Sequence, residues 1–149
     1  RGAWGAIMAN VMPIYSEISF GKKHGPCGGF VNFSGEGESG VRAMFDFIYS
    51  KTNYRYYGIL NELVDAEEGQ VASGISGEEY LIYSQNGGGI NLDLVRGNSA
   101  SGVYHAFWFD PISFKLIEVP FINLADSVMS PFGSRDTVLL LKTLQVPVE

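Results

Sequence analysis

Apolar positions along this chain change their period near residue 65. From Gly2 to Met12, the residues Ala3, Trp4, Ile7, Met8 and Val11 recur at helical spacing, which predicts a short amphipathic helix ended by Pro13. Pro13 to Phe20 reads as a short strand, and a glycine-rich loop follows it. Ser39 is placed to cap a helix from Gly40 to about Ser50, with Val41, Met44, Phe45 and Ile48 as its apolar side. Asn53 to Val64 is rich in tyrosine and reads as a packed connection. Beyond Asp65 the pattern becomes short β runs parted by turn residues: Gln70 to Ser73, Glu79 to Ser84, Ile90 to Val95, Val103 to Phe109, Lys115 to Val119 and Thr137 to Thr143. Ile90, Leu92 and Leu94 alternate with polar residues, the period of a strand with one wet face.

Turn chemistry supports these boundaries. Asn86-Gly87-Gly88-Gly89 supplies the positive φ angles of a tight hairpin, and Gly97-Asn98 and Asp110-Pro111 punctuate the later connections. Six such runs predict a β-sandwich over residues 65–149, with an inner surface built from Leu92, Trp108, Leu140 and their neighbours. The expected architecture is mainly β, with a helical N-terminal part over residues 1–64. With 46% hydrophobic residues and 13% aromatics, the composition is that of a folded chain. Charged residues are only 17%, and 19 glycines favour turns and strands over long solvated helices.

A net charge of −6 repels phosphate backbones and anionic bilayers, so nucleic acid and membrane surfaces are not expected partners. No apolar run approaches the roughly 20 residues of a membrane span. The single cysteine, Cys27, cannot form an internal disulfide and leaves the redox compartment open. The chain begins at Arg1 without a basic-then-apolar leader, and is expected to be a processed or truncated product.

Gly35-Glu36-Gly37-Glu38-Ser39-Gly40 spells the glycine pattern of a dinucleotide-binding turn. Two glutamates where the phosphates would lie, and an all-β remainder, argue instead for a flexible loop leading into a capped helix, with no cofactor. His24 and His105 lie far apart with no metal-ligand spacing, so no metal is expected. Glu17, His24 and Cys27 form a loose polar cluster without an evident orienting group for a Cys-His nucleophile. Tyr104 and Trp108 would stack on sugar rings if exposed, although a strand of a sandwich turns about half its side chains inward. Asn32-Phe33-Ser34 matches a glycosylation sequon.

Three segments carry a resemblance: Tyr80-Leu81-Ile82-Tyr83-Ser84, Ile90-Asn91-Leu92-Asp93-Leu94, and Tyr104-His105-Ala106-Phe107-Trp108-Phe109-Asp110-Pro111. Together with the closing run Val138 to Lys142, they resemble the C-terminal β-sandwich of apiosidase-like glycoside hydrolases, a module also named for collagen binding. Trp108-Phe109-Asp110-Pro111 is the most specific part. Where the family continues with Thr-Gly, this chain has Ile112-Ser113-Phe114. By the same resemblance, residues 1–64 correspond to the end of a (β/α)8 barrel: a penultimate helix over Arg1 to Met12, an eighth strand over Ile14 to Ile18, and a last helix from Gly40 to Ser50. Tyr15, Glu17 and His24 would then line a substrate cleft. The catalytic carboxylates of strands four and seven would precede Arg1, so no catalytic residue is assigned here. The resemblance implies a secreted or cell-surface setting, and polysaccharide, the rest of a parent chain or identical subunits as partners. The alternative is a non-enzymatic, self-assembling or carbohydrate-binding structural protein, filament-like and extracellular, which low charge and many aromatics also fit.

Overall fold

The structure, a computed structural model, describes residues 2–9, 35–65, 67–92, 103–123 and 127–144. Among these residues two α-helices, α1 (Gly2–Met8) and α2 (Gly35–Lys51), precede eight strands. These are β1 (Gly58–Ile59), β2 (Gln70–Ile75), β3 (Glu79–Ser84), β4 (Gly89–Asn91), β5 (Val103–Phe109), β6 (Leu116–Asn123), β7 (Ser127–Met129) and β8 (Thr137–Thr143). Six strands form one antiparallel sheet in the order β1-β2-β3-β8-β5-β6, and β4 pairs with β7 in a separate ribbon. The chain is therefore mainly β, with an antiparallel sheet and few helices.

The central strands β3, β5 and β8 are buried on both faces, while the edge strands β1 and β6 are largely exposed. Register sets Leu81, Leu140 and Phe107 in one row across β3, β8 and β5, and Ile82, Leu139 and Trp108 in the adjacent row. Because successive side chains on a strand point to opposite faces, these rows belong to different cores. The first joins Trp4, Ile7 and Met8 of α1 and Met44, Phe47 and Ile48 of α2. Trp4 stacks on Tyr83 at 6.4 Å, and Phe47 stacks on Phe109 at 4.8 Å. The second row joins Ile90 and Leu92, with Phe132 and the partly buried Val128. The expected inner surface of Leu92, Trp108 and Leu140 is thus divided: Leu140 faces the helices while the other two face the ribbon side.

Other sequence expectations are corrected by pairing and packing. Helix α2 begins at Gly35, so Ser39 lies inside it and is not its cap, and the Gly35 to Gly40 pattern is helical rather than a loop. Intrinsic propensity is a weak guide here, because a helix is held mainly by its docked apolar face. Phe47 belongs to that face, beside the apolar side that the periodicity predicts. The glycine turn after β3 is no hairpin, since β3 pairs with β2 and β8 while β4 pairs with β7. Positive φ at Asn86, Gly87 and Gly88 carries the chain from one sheet to the other. A Cβ at Gly87 would lie 2.1 Å from the Gly133 carbonyl oxygen, so only glycine fits. Strand β6 runs further than expected, to Asn123, as an edge strand. Between the pairs Tyr104–Ile122 and Ala106–Val119 it carries one extra residue, and this bulge accommodates Pro120, which donates no backbone hydrogen bond. Strands β1 and β7 lie outside the runs that the sequence predicts, and in the run Ile90 to Val95, described as far as Leu92, β4 is Gly89–Asn91. The predicted strand Pro13 to Phe20, with Ile14 to Ile18 inside it, the sequon, Cys27, Leu94 and Gly97-Asn98 lie outside the described residues.

The Asp110-Pro111 turn is real, and Asp110 holds it. Its buried carboxylate accepts hydrogen bonds from the amides of Ile112 (2.8 Å) and Ser113 (3.3 Å) and from the Ser113 hydroxyl (2.7 Å), with Arg135 at 3.5 Å. Burial, the largest influence, would raise its pKa, but these donors and the guanidinium outweigh it and hold the carboxyl below the ordinary range. Phe114 ends the turn at φ 60°, a left-handed conformation that a bulky residue adopts at a cost. Its ring lies against α2, 3.5 Å from where a Cβ on Gly40 would stand.

Candidate functional site

Of the side chains singled out in sequence, Tyr15, Glu17 and His24 lie outside the described residues. Tyr104 and Trp108 are 0% and 3% exposed. Strand β5 is flanked by β6 and β8, and the face carrying these two rings is covered by the ribbon-side core. Tyr104 meets Tyr80 edge-on at 6.1 Å, and Trp108 sits opposite Leu139. Neither ring is accessible to a saccharide, which corrects the stacking assignment.

The densest polar arrangement is one that the sequence did not announce. Glu79 opens β3, Lys142 stands opposite it on β8, and His105 stands opposite Lys142 on β5, giving a charged row across three strands. The buried Glu79 carboxylate accepts hydrogen bonds from the Asn53 amide (2.8 Å), the Asn53 side-chain nitrogen (3.0 Å) and the Tyr57 hydroxyl, and pairs with Lys142 Nζ at 3.2 Å. Lys142 also donates to the carbonyl of Lys51 at 2.7 Å. That carbonyl ends α2, where backbone acceptors lack partners within the helix. His105 Nε2 lies 2.8 Å from Glu118 Oε1 at the sheet edge. With this many donors engaged, Glu79 is built to anchor α2 and the following turn to the sheet, not to accept a substrate proton.

Tyr57 reports on that anchor. Burial first, then the hydrogen bond to Glu79 and its negative charge, push the Tyr57 hydroxyl well above the ordinary tyrosine range. In the unfolded chain the same group ionises near pH 10. The stability carried by the raised pKa is therefore complete below about pH 10 and declines as pH rises further. Denaturant melts of Tyr57→Phe across about pH 8 to 11 should show a shallower alkaline loss than the parent, together with about 1 kcal/mol less stability at neutral pH. Equal alkaline slopes would mean that this hydroxyl is not buried against a carboxylate.

Next to the anchor, an open groove of about 540 Å³ is lined by Ile48, Tyr49, Thr52, Asn53, Tyr54 and Arg55. Its shape follows from the way α2 ends. The Thr52 hydroxyl donates to the Ile48 carbonyl (2.7 Å) and accepts from the Tyr54 amide (3.2 Å), and the chain then makes a 3-10 turn over Tyr54–Tyr56. Tyr54 donates its hydroxyl to the Ile7 carbonyl at 3.1 Å, which ties α1 to the groove floor. Burial, and secondarily the neighbouring Tyr49, raise the Tyr54 pKa. Tyr49 is 65% exposed. The Arg55 guanidinium lies 4.7 Å from the Tyr56 ring centroid. The tyrosine-rich composition of residues 53–64 was the one sequence signal for this groove.

Among the described residues the third buried carboxylate has structural partners too: Asp136 accepts from the Tyr83 hydroxyl (2.7 Å) and the Asn86 amide (3.1 Å). Among the described residues there is no group of three or more His, Cys, Asp or Glu that could hold a metal ion. No helix among them is long and apolar enough to cross a membrane.

No family model matches the sequence, and no curated protein matches it. Solved structures do. A glycoside hydrolase family 5 protein from Bacteroides vulgatus ATCC 8482 superposes with a TM-score of 0.57 at 14% identity, over 72% of this chain and 24% of its own. A second structure, described as a glycoside hydrolase, gives a TM-score of 0.57 at 12% identity, over 72% of this chain and 25% of its own. The chain spans about a quarter of each of these proteins. At these identities the likeness is one of fold: a glycoside-hydrolase-like β-rich fold.

Proposed function

We propose that this chain is the C-terminal part of a secreted or cell-surface glycoside-hydrolase-like protein. In this reading residues 65–149 form an accessory β-sandwich, and residues 1–64 are the end of the catalytic barrel it supports. The observation that carries the reading is the superposition of most of the chain on about a quarter of two glycoside hydrolases. The apiosidase-like lines of the sequence, from Tyr80 to Pro111, point the same way. Two further features support it. The centre of the sheet is buried on both faces, and α1 and α2 are docked on one of them, as expected of a module that braces a helical layer. The buried carboxylates of Glu79, Asp110 and Asp136 are engaged in holding the fold, and this reading assigns acid/base chemistry to residues elsewhere in the parent.

Sequencing the gene upstream of Arg1, and assaying the encoded polypeptide on glycans, tests the proposal. A longer product is expected to release sugars, with activity abolished by substituting either of two upstream carboxylates. Assembly of the mature protein from units no longer than 149 residues would overturn the proposal and favour the self-assembling structural reading.

A further inference from the structure

We propose that Pro120, with the bulge it sits in, is the device that keeps the edge strand β6 from pairing with β6 of a second copy of this chain. The role is independent of the glycan-directed reading above. A sheet edge presents unpaired N–H and C=O groups, and a straight, apolar edge is a template for another strand. Among the described residues the opposite edge of the sheet is closed by brevity, since β1 is Gly58–Ile59 alone, and the ribbon strands β4 and β7 are three residues each. Strand β6 is the long edge, eight residues from Leu116 to Asn123. Its sequence is rich in β-branched and aromatic residues, and Glu118 is its one charge. That carboxylate is engaged with His105 on the neighbouring strand, at 2.8 Å. Leu116 is 40% exposed and Phe121 72% exposed, so apolar surface lies along the edge.

Charge is the usual guard of such an edge, but β6 has little room for it. Ile117, Val119 and Ile122 pack against the ribbon-side core and must stay apolar. Proline supplies the guard instead. Val119 stands opposite Ala106 and Ile122 opposite Tyr104, so Pro120 and Phe121 together oppose the single residue His105. A bulge bends its strand and breaks the ladder locally, and proline has no N–H to offer a partner. Strand β6 is thereby divided into Leu116–Val119 and Phe121–Asn123, two runs that one straight partner strand cannot pair in a common register. Each run is shorter than the five or six residues of an ordinary strand, roughly, and so small a pairing is not stable by itself. Without the interruption, β6 would meet its own copy antiparallel about a two-fold axis, the symmetry of the commonest dimers.

Deleting Pro120 is the direct test, because it leaves Phe121 alone opposite His105 and restores an unbroken register from Leu116 to Asn123. In sedimentation velocity over a wide concentration range, the deletion variant is expected to self-associate about ten-fold more tightly than the parent, or more. Hydrogen exchange should show new amide protection over residues 116–122 in the associated form. Adding Phe121→Lys to the deletion should return it to the parent's state, by setting a charge on the edge. Pro120→Val keeps the extra residue and restores only the N–H, and should raise association less than the deletion does. A deletion variant that melts like the parent and associates no more than it would overturn the proposal. So would association that protects residues outside 116–122 or survives Phe121→Lys, or a parent that already pairs through β6. Should the deletion variant not fold, Pro120→Val decides: stronger association than the parent's supports the proposal, and equal association overturns it.

Discussion

Leu139→Ala and Leu140→Ala should each destabilise the protein by about 2–5 kcal/mol, although these neighbours point to opposite sides of one strand. Both side chains are fully buried, Leu139 in the ribbon-side core and Leu140 in the helix-side core. In a sheet with one wet face, one of the two would lie in water, and its truncation would cost well under 1 kcal/mol. Chemical denaturation of both variants therefore distinguishes a doubly covered sheet from a singly covered one. The two losses should also combine with little coupling, because the side chains lie in separate clusters. A near-neutral result for Leu140→Ala would mean that α1 and α2 do not cover that face.

Glu79→Ala is expected to cost about 3–5 kcal/mol, since it leaves Lys142, the Tyr57 hydroxyl and the Asn53 nitrogens without the acceptor they share. The lower end is the better figure for the ion pair itself, because the Lys142 side chain is 33% exposed and water screens part of the loss. Replacing both partners, as Glu79→Leu with Lys142→Met, should be milder than Glu79→Ala alone, as no buried charge is then stranded. Hydrogen exchange should show where the damage falls: the last turn of α2 and residues 52–57 should lose protection before the centre of β8 does. If exchange rises uniformly over the molecule, Glu79 is not a local anchor.

Much of the β framework is legible in the sequence. The runs Glu79 to Ser84, Val103 to Phe109 and Thr137 to Thr143 coincide with β3, β5 and β8 at both ends. The turn residues that bound them are local features, read directly from neighbouring positions. The same runs carry a further signal: Tyr80 to Tyr83 and Val138 to Leu141 are continuously apolar and do not alternate, which marks strands covered on both faces. The Asp110-Pro111 turn was legible because its hydrogen bonds reach only two or three residues along the chain. The start of α2 was not, because glycines and a cap-like Ser39 describe a weak helix end in isolation, whereas docking of Phe47 and Met44 on the sheet stabilises a longer one.

The candidate site was far less legible. Asn53, Tyr57, Glu79 and Lys142 are separated by up to 89 positions, and nothing in their local spacing joins them. Tyr104 and Trp108 looked suitable for sugar stacking by residue type, yet pairing on both sides of β5 buries them.

By itself, the sequence determined the bounds of β3, β5 and β8, that β structure dominates, and that a chain of net charge −6 with few charged residues must bury a large apolar surface. These properties follow from short-range periodicity, turn chemistry and composition. Only the tertiary structure decided that the sheet has two cores, that the glycine turn after β3 crosses between sheets, and that Glu79 meets Lys142 and Tyr57 beneath a tyrosine-lined groove. Those outcomes depend on strand order and register, which are set by the joint burial of distant segments and are not encoded in any one of them.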